Sequence, residues 1–440
     1  MKLWPTGGLW RHPDFVKLWS AETVSQFGTQ FTQLALPLAA IDVLHASAFE
    51  VAALTTVEFL PFLLVSLPAG VWVDRLRRRP ILVVGDLSRA VLLGSIPVAY
   101  AFDALTIWQL YGVGFFVGVA TVFFDVAYQS YLPSLVRRQQ LIDGNAKLEI
   151  SRGAAQLGGP GLAGVVVQAL KAPGAIAFDA LSFLGSALFI FSIRKHERSQ
   201  QPDEVSARRM RDELREGLRY VLTHPFLKNI AACTALFNFF GNLGFAVLIF
   251  FARRDLGLSP LAIGLALTAS NVGPLIAAFN AHRISSRFGV GRTIIAAAMI
   301  GGPMFLLVPF APHGNAALTF IVPAFVLGGF SNVIYNVTQV SLRQAITPER
   351  IQGRMNSVMR FIVWGTIPLG ALLGGALATT LGVKETLIIG GIGSCLSFLP
   401  VLLSPVRRIQ EMPEPVDEAA AVLGPLVADA APVPADHLGT

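Results

Sequence analysis

Long apolar runs, broken at short intervals by charges or by Gly and Pro, fill most of the chain between residues 16 and 404. They fall near residues 16–42, 50–73, 81–102, 106–129, 148–170, 174–193, 227–251, 260–281, 293–311, 317–341, 357–380 and 385–404. A bilayer core about 30 Å thick takes roughly 20 residues of helix, so each run is long enough to span it. None alternates apolar and polar residues with period two, which argues against a membrane β-barrel. The pattern predicts an all-α integral membrane protein of twelve transmembrane helices.

The polar intervals orient these helices. With twelve spans, 30 of the 34 Lys and Arg residues lie on one side; Lys171, Arg253, Arg254 and Lys384 lie on the other. Basic residues stay cytosolic, so both termini are expected in the cytosol. The longest polar interval divides the protein six plus six. The expected organisation is a cytosolic lead-in (1–15), a first six-helix half (16–193), a linker (194–226), a second half (227–404) and a disordered tail (405–440) rich in Ala and Pro. Within the linker, arginines interspersed with Glu213 and Glu216 predict a surface helix around Arg208–Tyr220. The first apolar run is too long for the core of a signal peptide.

Composition agrees: 53% of residues are hydrophobic and 14% charged. The net charge of +7 comes in short arginine bursts between spans, which is a topology signal and not a phosphate-binding stripe, so no nucleic-acid partner is expected. Cys233 and Cys395, the only cysteines, sit in apolar runs and suggest neither a disulfide framework nor a thiolate metal site. The chain lacks GxxxxGK[ST], HExxH and GxSxG, which removes direct ATP drive and the usual membrane hydrolase chemistries. No enzyme activity, cofactor or metal is expected.

The second half repeats the first. GVATVFFDVAYQS (118–130) falls on GFSNVIYNVTQVS (329–341) at an offset of 211, pairing Gly118 with Gly329 and Asp125 with Asn336; Arg152 and Pro160 fall on Arg360 and Pro368 at 208. Two parallel halves around an axis normal to the membrane, with a substrate site between them, are the architecture of the major facilitator superfamily. The stretch PAGVWVDRLRRRP (68–80) resembles that superfamily's GxxxDRxxRR loop motif through Gly70, Asp74, Arg75, Arg78 and Arg79. The second copy is eroded to HRISSRFGVGR, with Ser286 where Asp74 would be. From Phe15 to about Pro405 the chain is similar to the bacterial branch that includes enterobactin exporters and macrolide efflux proteins.

The resemblance implies alternating access in a bacterial cytoplasmic membrane, with a small-molecule substrate, protons and the lipid bilayer as partners and a monomeric chain. It implies export of a hydrophobic or amphipathic compound such as a drug, siderophore or secondary metabolite. An importer or lipid flippase on the same fold, and a non-transporting sensor or scaffold, are the alternatives.

An ionisable group inside a span is costly and marks function by default. Glu58 sits closest to a span midplane, Glu22 is shallower, and Asp42 and Asp179 are placed near outer ends; these four are the proton-coupling candidates. Spans seven to ten hold no acid, and Arg360 is the main embedded charge of the second half, so a proton carrier is expected in the first half. Such a carrier needs a pKa that swings between states, and burial and an approaching arginine move a carboxylate in opposite directions.

The gating candidates begin with Gly70 and Asp74. At the end of span two, Asp74 can face the positive N-terminal end of a second-half helix. In the superfamily such an aspartate latches the halves, helped by residues that match Asp125 and Arg343 here. Arg75, Arg78 and Arg79 are expected chiefly to anchor the loop at anionic headgroups. Gly159, Pro160 and Gly164 on span five resemble the superfamily's antiporter motif, with Ala163 before Gly164 as a departure; Arg152, Arg360 and Pro368 complete the set. Small residues let helices approach closely, and proline frees a carbonyl, so both permit bending. Phe31, Phe124, Asn238, Asn242, Asn271, Asn332, Tyr335 and Gln339 supply the aromatic area and amide groups that suit a cavity for a bulky amphipathic solute. Asp74→Asn is expected to impair transport at normal expression; intact transport would remove the latch.

Overall fold

The computed structural model describes residues 8–66, 69, 72–73, 76–137, 140–194 and 207–413. Among them there is no strand, and eight helices are long and apolar enough to cross a membrane. The first half contains α1 (Pro13–Asp42), α2 (Ala48–Leu64), α3 (Arg78–Ala101), α4 (Ile107–Leu135) and α5 (Leu141–Phe191). A connecting helix, α6 (Ala207–Thr223), leads into α7 (Leu227–Phe250), α8 (Pro260–Ser270), α9 (Val272–Phe288), α10 (Val290–Gly301), α11 (Pro303–Leu307), α12 (Leu318–Ala345), α13 (Glu349–Thr380) and α14 (Val383–Leu396).

Local chemistry explains several of the boundaries. Ser47 and Glu50 form a capping box at the start of α2, Thr106 caps α4, and Ser259 caps α8 just before Pro260. The 51 residues of α5 hold two of the sequence's spans, joined at Lys171, where φ is 62°. A Cβ on Gly159 would meet Gln30, and one on Gly28 would meet Ser182, so both arms of α5 lie against the same stretch of α1. The chain therefore doubles back at Lys171.

Two expected spans are interrupted. Pro274 has no N–H to offer the Ser270 carbonyl, and the helix expected over 260–281 breaks at Asn271 into α8 and α9. The run 293–311 breaks at Gly301-Gly302-Pro303, where a Cβ on Gly302 would stand 2.5 Å from the Cys395 backbone nitrogen. Close approach of another backbone, together with proline, ends the helix there.

The duplication is visible in packing. Gly118 on α4 faces Pro61 of α2, and Gly329 on α12 faces Pro274 of α9. Each glycine lets a proline-bent neighbour approach to a distance that a Cβ would forbid.

The apolar core explains how the halves meet. One cluster, including Phe15, Leu18 and Tyr131, belongs to the first half, and another, including Leu227, Ile294 and Met359, belongs to the second. Both lie toward the end of the bundle where Lys17 donates to the Ser192 carbonyl (2.6 Å) and Tyr220 of α6 donates to the Ile346 carbonyl (3.2 Å), here called the linker end. A third cluster joins Leu38, Ile41 and Leu54 of the first half to Val247, Phe251 and Ile263 of the second, at the far end. The halves thus share one core at the far end and keep separate cores at the linker end.

Backbone contact sets this junction. A Cβ on Gly164 would stand 2.8 Å from the Pro260 carbonyl oxygen, and one on Gly264 would stand 2.3 Å from that of Pro160. Gly375 of α13 faces Ala52 and Phe49 of α2 in the same way. Gly164→Leu should destabilise by about 1–3 kcal/mol through overpacking. Gly158→Ala, with open space around it, should leave stability unchanged or slightly higher. Thermal unfolding of the detergent-solubilised variants distinguishes the two sites.

Candidate substrate-translocation site

Between the halves lies a cavity of about 1530 Å³. The far end is sealed by the shared core and by a polar clasp. Asp42, at the last turn of α1, accepts from Arg253 Nε at 2.9 and 3.0 Å, and Arg254 donates to the Ile41 carbonyl at 2.6 Å. Arg253 and Arg254 lie in the single wide turn (Phe251–Asp255) that prolongs α7. Toward the linker end the lining runs down to Asn145 and Glu149, where the two cores are separate.

The first-half wall carries the acids. Glu22, Glu58, Asp125, Glu149 and Asp179 all line the cavity, with Arg89 and Arg152 among them. Glu22 is buried and accepts from Gln26 Nε2 at 2.7 Å, while Arg152 approaches it at 4.0 Å. Asp125 is open to the cavity. Glu58 packs its Cγ where a Cβ on Gly114 would be 3.1 Å away, and among the described residues its carboxylate has no hydrogen-bond partner. Asp179, which the sequence placed near an outer end, lies beside Gly28 in the middle of α1 because α5 doubles back as early as Lys171. It is fully buried and accepts from Ser182 at 3.0 Å.

Arg89 of this wall belongs to a pair that sequence reasoning did not single out. Asp86 and Arg89, one turn apart on α3, form a buried ion pair at 2.5 Å. The Arg89 guanidinium is sandwiched between the rings of Phe124 and Phe183, at 4.3 and 4.2 Å. Two opposite charges at i, i+3 in the otherwise apolar GDLSRAVLLG were the available signal. Phe124, expected to touch substrate, is partly occupied by this stacking.

The second-half wall is amide-rich and free of carboxylates. Asn238, Asn242, Asn271 and Asn332 line the cavity, and Asn271 donates across the halves to the Gln156 carbonyl at 2.7 Å. Tyr335, Gln339, Arg343 and Arg360 line a side pocket of about 500 Å³ that shares Asn238, Asn332 and Trp364 with the main cavity. Phe31 is absent from either lining; it packs toward Phe178, with ring centroids 6.3 Å apart.

The gating candidates separate. Gly70, Asp74 and Arg75 lie outside the described residues. Arg79 is held by protein: it donates to the Ile190 carbonyl at 3.3 Å and to that of Phe191, capping the last turn of α5, where a cation is favoured. Gly159 admits Gln30, Pro160 and Gly164 form the junction with α8, and the Pro368 carbonyl accepts from Thr56 of α2 at 3.4 Å. Arg343, expected as part of a latch between halves, turns into the side pocket within its own half.

A two-halved helical bundle enclosing a polar cavity is a transporter fold of the major facilitator kind. The chain belongs to the transmembrane secretion effector family of that superfamily, whose family model matches residues 8–430. It is 27% identical to the multidrug efflux pump Tap of Mycolicibacterium fortuitum over 393 residues, covering 86% of this chain and 92% of that one. It is 20% identical to macrolide efflux protein A of Streptococcus pyogenes over 397 residues, covering 90% and 97%. A bacterial homologue of the iron transporter ferroportin shares the fold at 18% identity in its inward-facing state, with a TM-score of 0.72 over 90% of this chain and 99% of that one.

The Asp42–Arg253 pair is half-exposed and adds to packing only modestly. Asp42→Asn should shift the balance of closed and open far ends by about threefold, read from spin-label distances between the far ends of α1 and α7. Exchanging the two residues should restore it, and an unmoved distance distribution would assign closure to packing alone.

Proposed function

We propose that this protein is a proton-coupled exporter of a small hydrophobic or amphipathic compound, working by alternating access. The carrying observation is the central cavity, sealed at the far end by contacts between the halves and lined by carboxylates on one wall only. In this reading the linker end is cytosolic, as the distribution of basic residues favours, and both termini lie in the cytosol. Counting the two arms of α5 separately and joining the interrupted helices is consistent with twelve crossings, six in 16–193 and six in 227–404, with 194–226 as linker and 405–440 as tail. The names of the efflux relatives support the direction of transport.

The proton path runs through the first half. Glu58 has no hydrogen-bond partner in the wall, so its charge is balanced only by what enters the cavity. Glu22 sits between Gln26 and Arg152, and a rocking of the halves that moves Arg152 changes its electrostatic surroundings. Asp179 and Asp42 are the weaker candidates: the first is held by hydroxyl donors and the second by Arg253.

The test uses a deletion strain, a compound panel that includes a macrolide, and everted membrane vesicles with and without a protonophore. Glu58→Gln and Glu22→Gln are tested separately at matched expression. At least one should lose protonophore-sensitive efflux, by about 10²-fold if it carries the proton. Two fully active variants, or efflux indifferent to the protonophore, would remove the coupling scheme.

A further inference from the structure

The two copies of the repeat hold the same arginine in opposite electrostatic settings. In the first half Arg152 is met by acids: Glu149 at 3.7 Å and Glu22 at 4.0 Å, with Asp125 in electrostatic range. Its counterpart Arg360 lines the side pocket of the second half, and its one acidic neighbour in electrostatic range among the described residues is Asp125, across the cavity in the first half. There the position equivalent to Asp125 is Asn336, and the one equivalent to Leu132 is Arg343. At the equivalent positions the acid has been lost and a second cation gained, and among the described residues no carboxylate lines this pocket.

Arg343 is 8% exposed, and among the described residues it has neither a hydrogen bond nor an ion pair; its Nε is buried without a partner. Gln339 Oε1, one turn earlier on α12, is also buried without a donor. Tyr335 offers no carboxylate counter-charge: its hydroxyl is engaged with that of Thr234 at 2.8 Å. An uncompensated guanidinium at this depth is costly unless an anion meets it.

We propose that this side pocket binds an oxyanion, the carboxylate or comparable acid group of an amphipathic solute, with Arg343 and Arg360 as its cationic partners and Gln339 accepting from a donor beside the acid. Guanidinium groups bind such oxyanions through paired, charge-assisted hydrogen bonds. The apolar remainder of the solute extends past Trp364, shared by the pocket and the main cavity. This deepens the exporter reading, on which it rests, by naming acids and zwitterions as the substrate class. A phospholipid headgroup carries the same chemistry.

The probe is dansylglycine, whose sulfonamide N–H lies next to its carboxylate, compared with its uncharged methyl ester. Binding is followed by fluorescence with the full-length protein in phosphatidylcholine nanodiscs. The acid should bind about tenfold more tightly than the ester. Arg343→Gln should reduce the acid to the level of the ester, and Arg343→Lys should retain part of the preference. Asn336→Asp, which restores the acid of the first half at an exposed position, should weaken the acid and spare the ester even if Arg343→Gln fails to fold. Equal binding of acid and ester, including no binding of either, or an unchanged preference in both Arg343→Gln and Asn336→Asp, would overturn the proposal. Adding phosphatidylglycerol separates the two sources: competition with the probe assigns the site to lipid headgroups, and its absence assigns it to solutes. Efflux retained without any acid preference would sink this pocket assignment alone. Acid preference retained without protonophore-sensitive efflux would sink the exporter reading alone.

Discussion

Everything in this molecule hangs on the close approach of backbones at the far end of the bundle. Gly164 and Gly264 allow α5 and α8 to touch carbonyl to Cα, and Gly375 does the same between α13 and α2. In a bilayer, helices gain little from hydrophobic burial against one another, because lipid is as apolar as leucine; packing at short range must hold them. Among the described residues, the glycine–backbone contacts that join one half to the other lie at the far end. The same halves can therefore be in contact at the far end and apart at the linker end, which leaves the cavity open on one side.

The second constraint is electrostatic. Charges inside hydrocarbon persist when they are paired or face water, and the two halves meet this requirement in opposite ways. The first half pairs Asp86 with Arg89 and arranges Glu22 near Arg152 at its surface. The second half carries Arg343 and Arg360 in a pocket whose described lining residues include amides and no acid, with Asp125 of the first half in electrostatic range of Arg360. The cavity is thus asymmetric: one wall carries carboxylates, the other amides and arginines. The buried Asp86–Arg89 pair contributes little net stability once desolvation is counted, but it fixes the rotation of α3 against Phe124 and Phe183.

Much of this was legible in the chain. Hydrophobic runs, the steep bias of basic residues and the offset repeat predicted a helical membrane protein of two related halves, because membrane solvation forces each segment to declare itself locally. The glycines and prolines of spans five and eleven were legible as residues that permit close contact, since close approach needs a missing Cβ. The prolines that interrupt 260–281 and 293–311 were also visible, but their consequence depended on which backbone lay opposite.

Tertiary structure decided the rest. Phe31 and Phe124 look alike as aromatic residues within spans, yet one packs on Phe178 and the other stacks on Arg89. The carbonyls that Arg79 meets at the end of α5, and the pocket that Arg343 lines on α12, came from the tertiary structure. That Asp179 lies beside Gly28, in the middle of α1, came from the packing of the second arm of α5. The sequence by itself determined that the chain is built of long apolar helices and which residues can tolerate close contact, because those depend on local composition. Which charge meets which partner was decided only by folding, because in hydrocarbon a charge is defined by its neighbours from other helices.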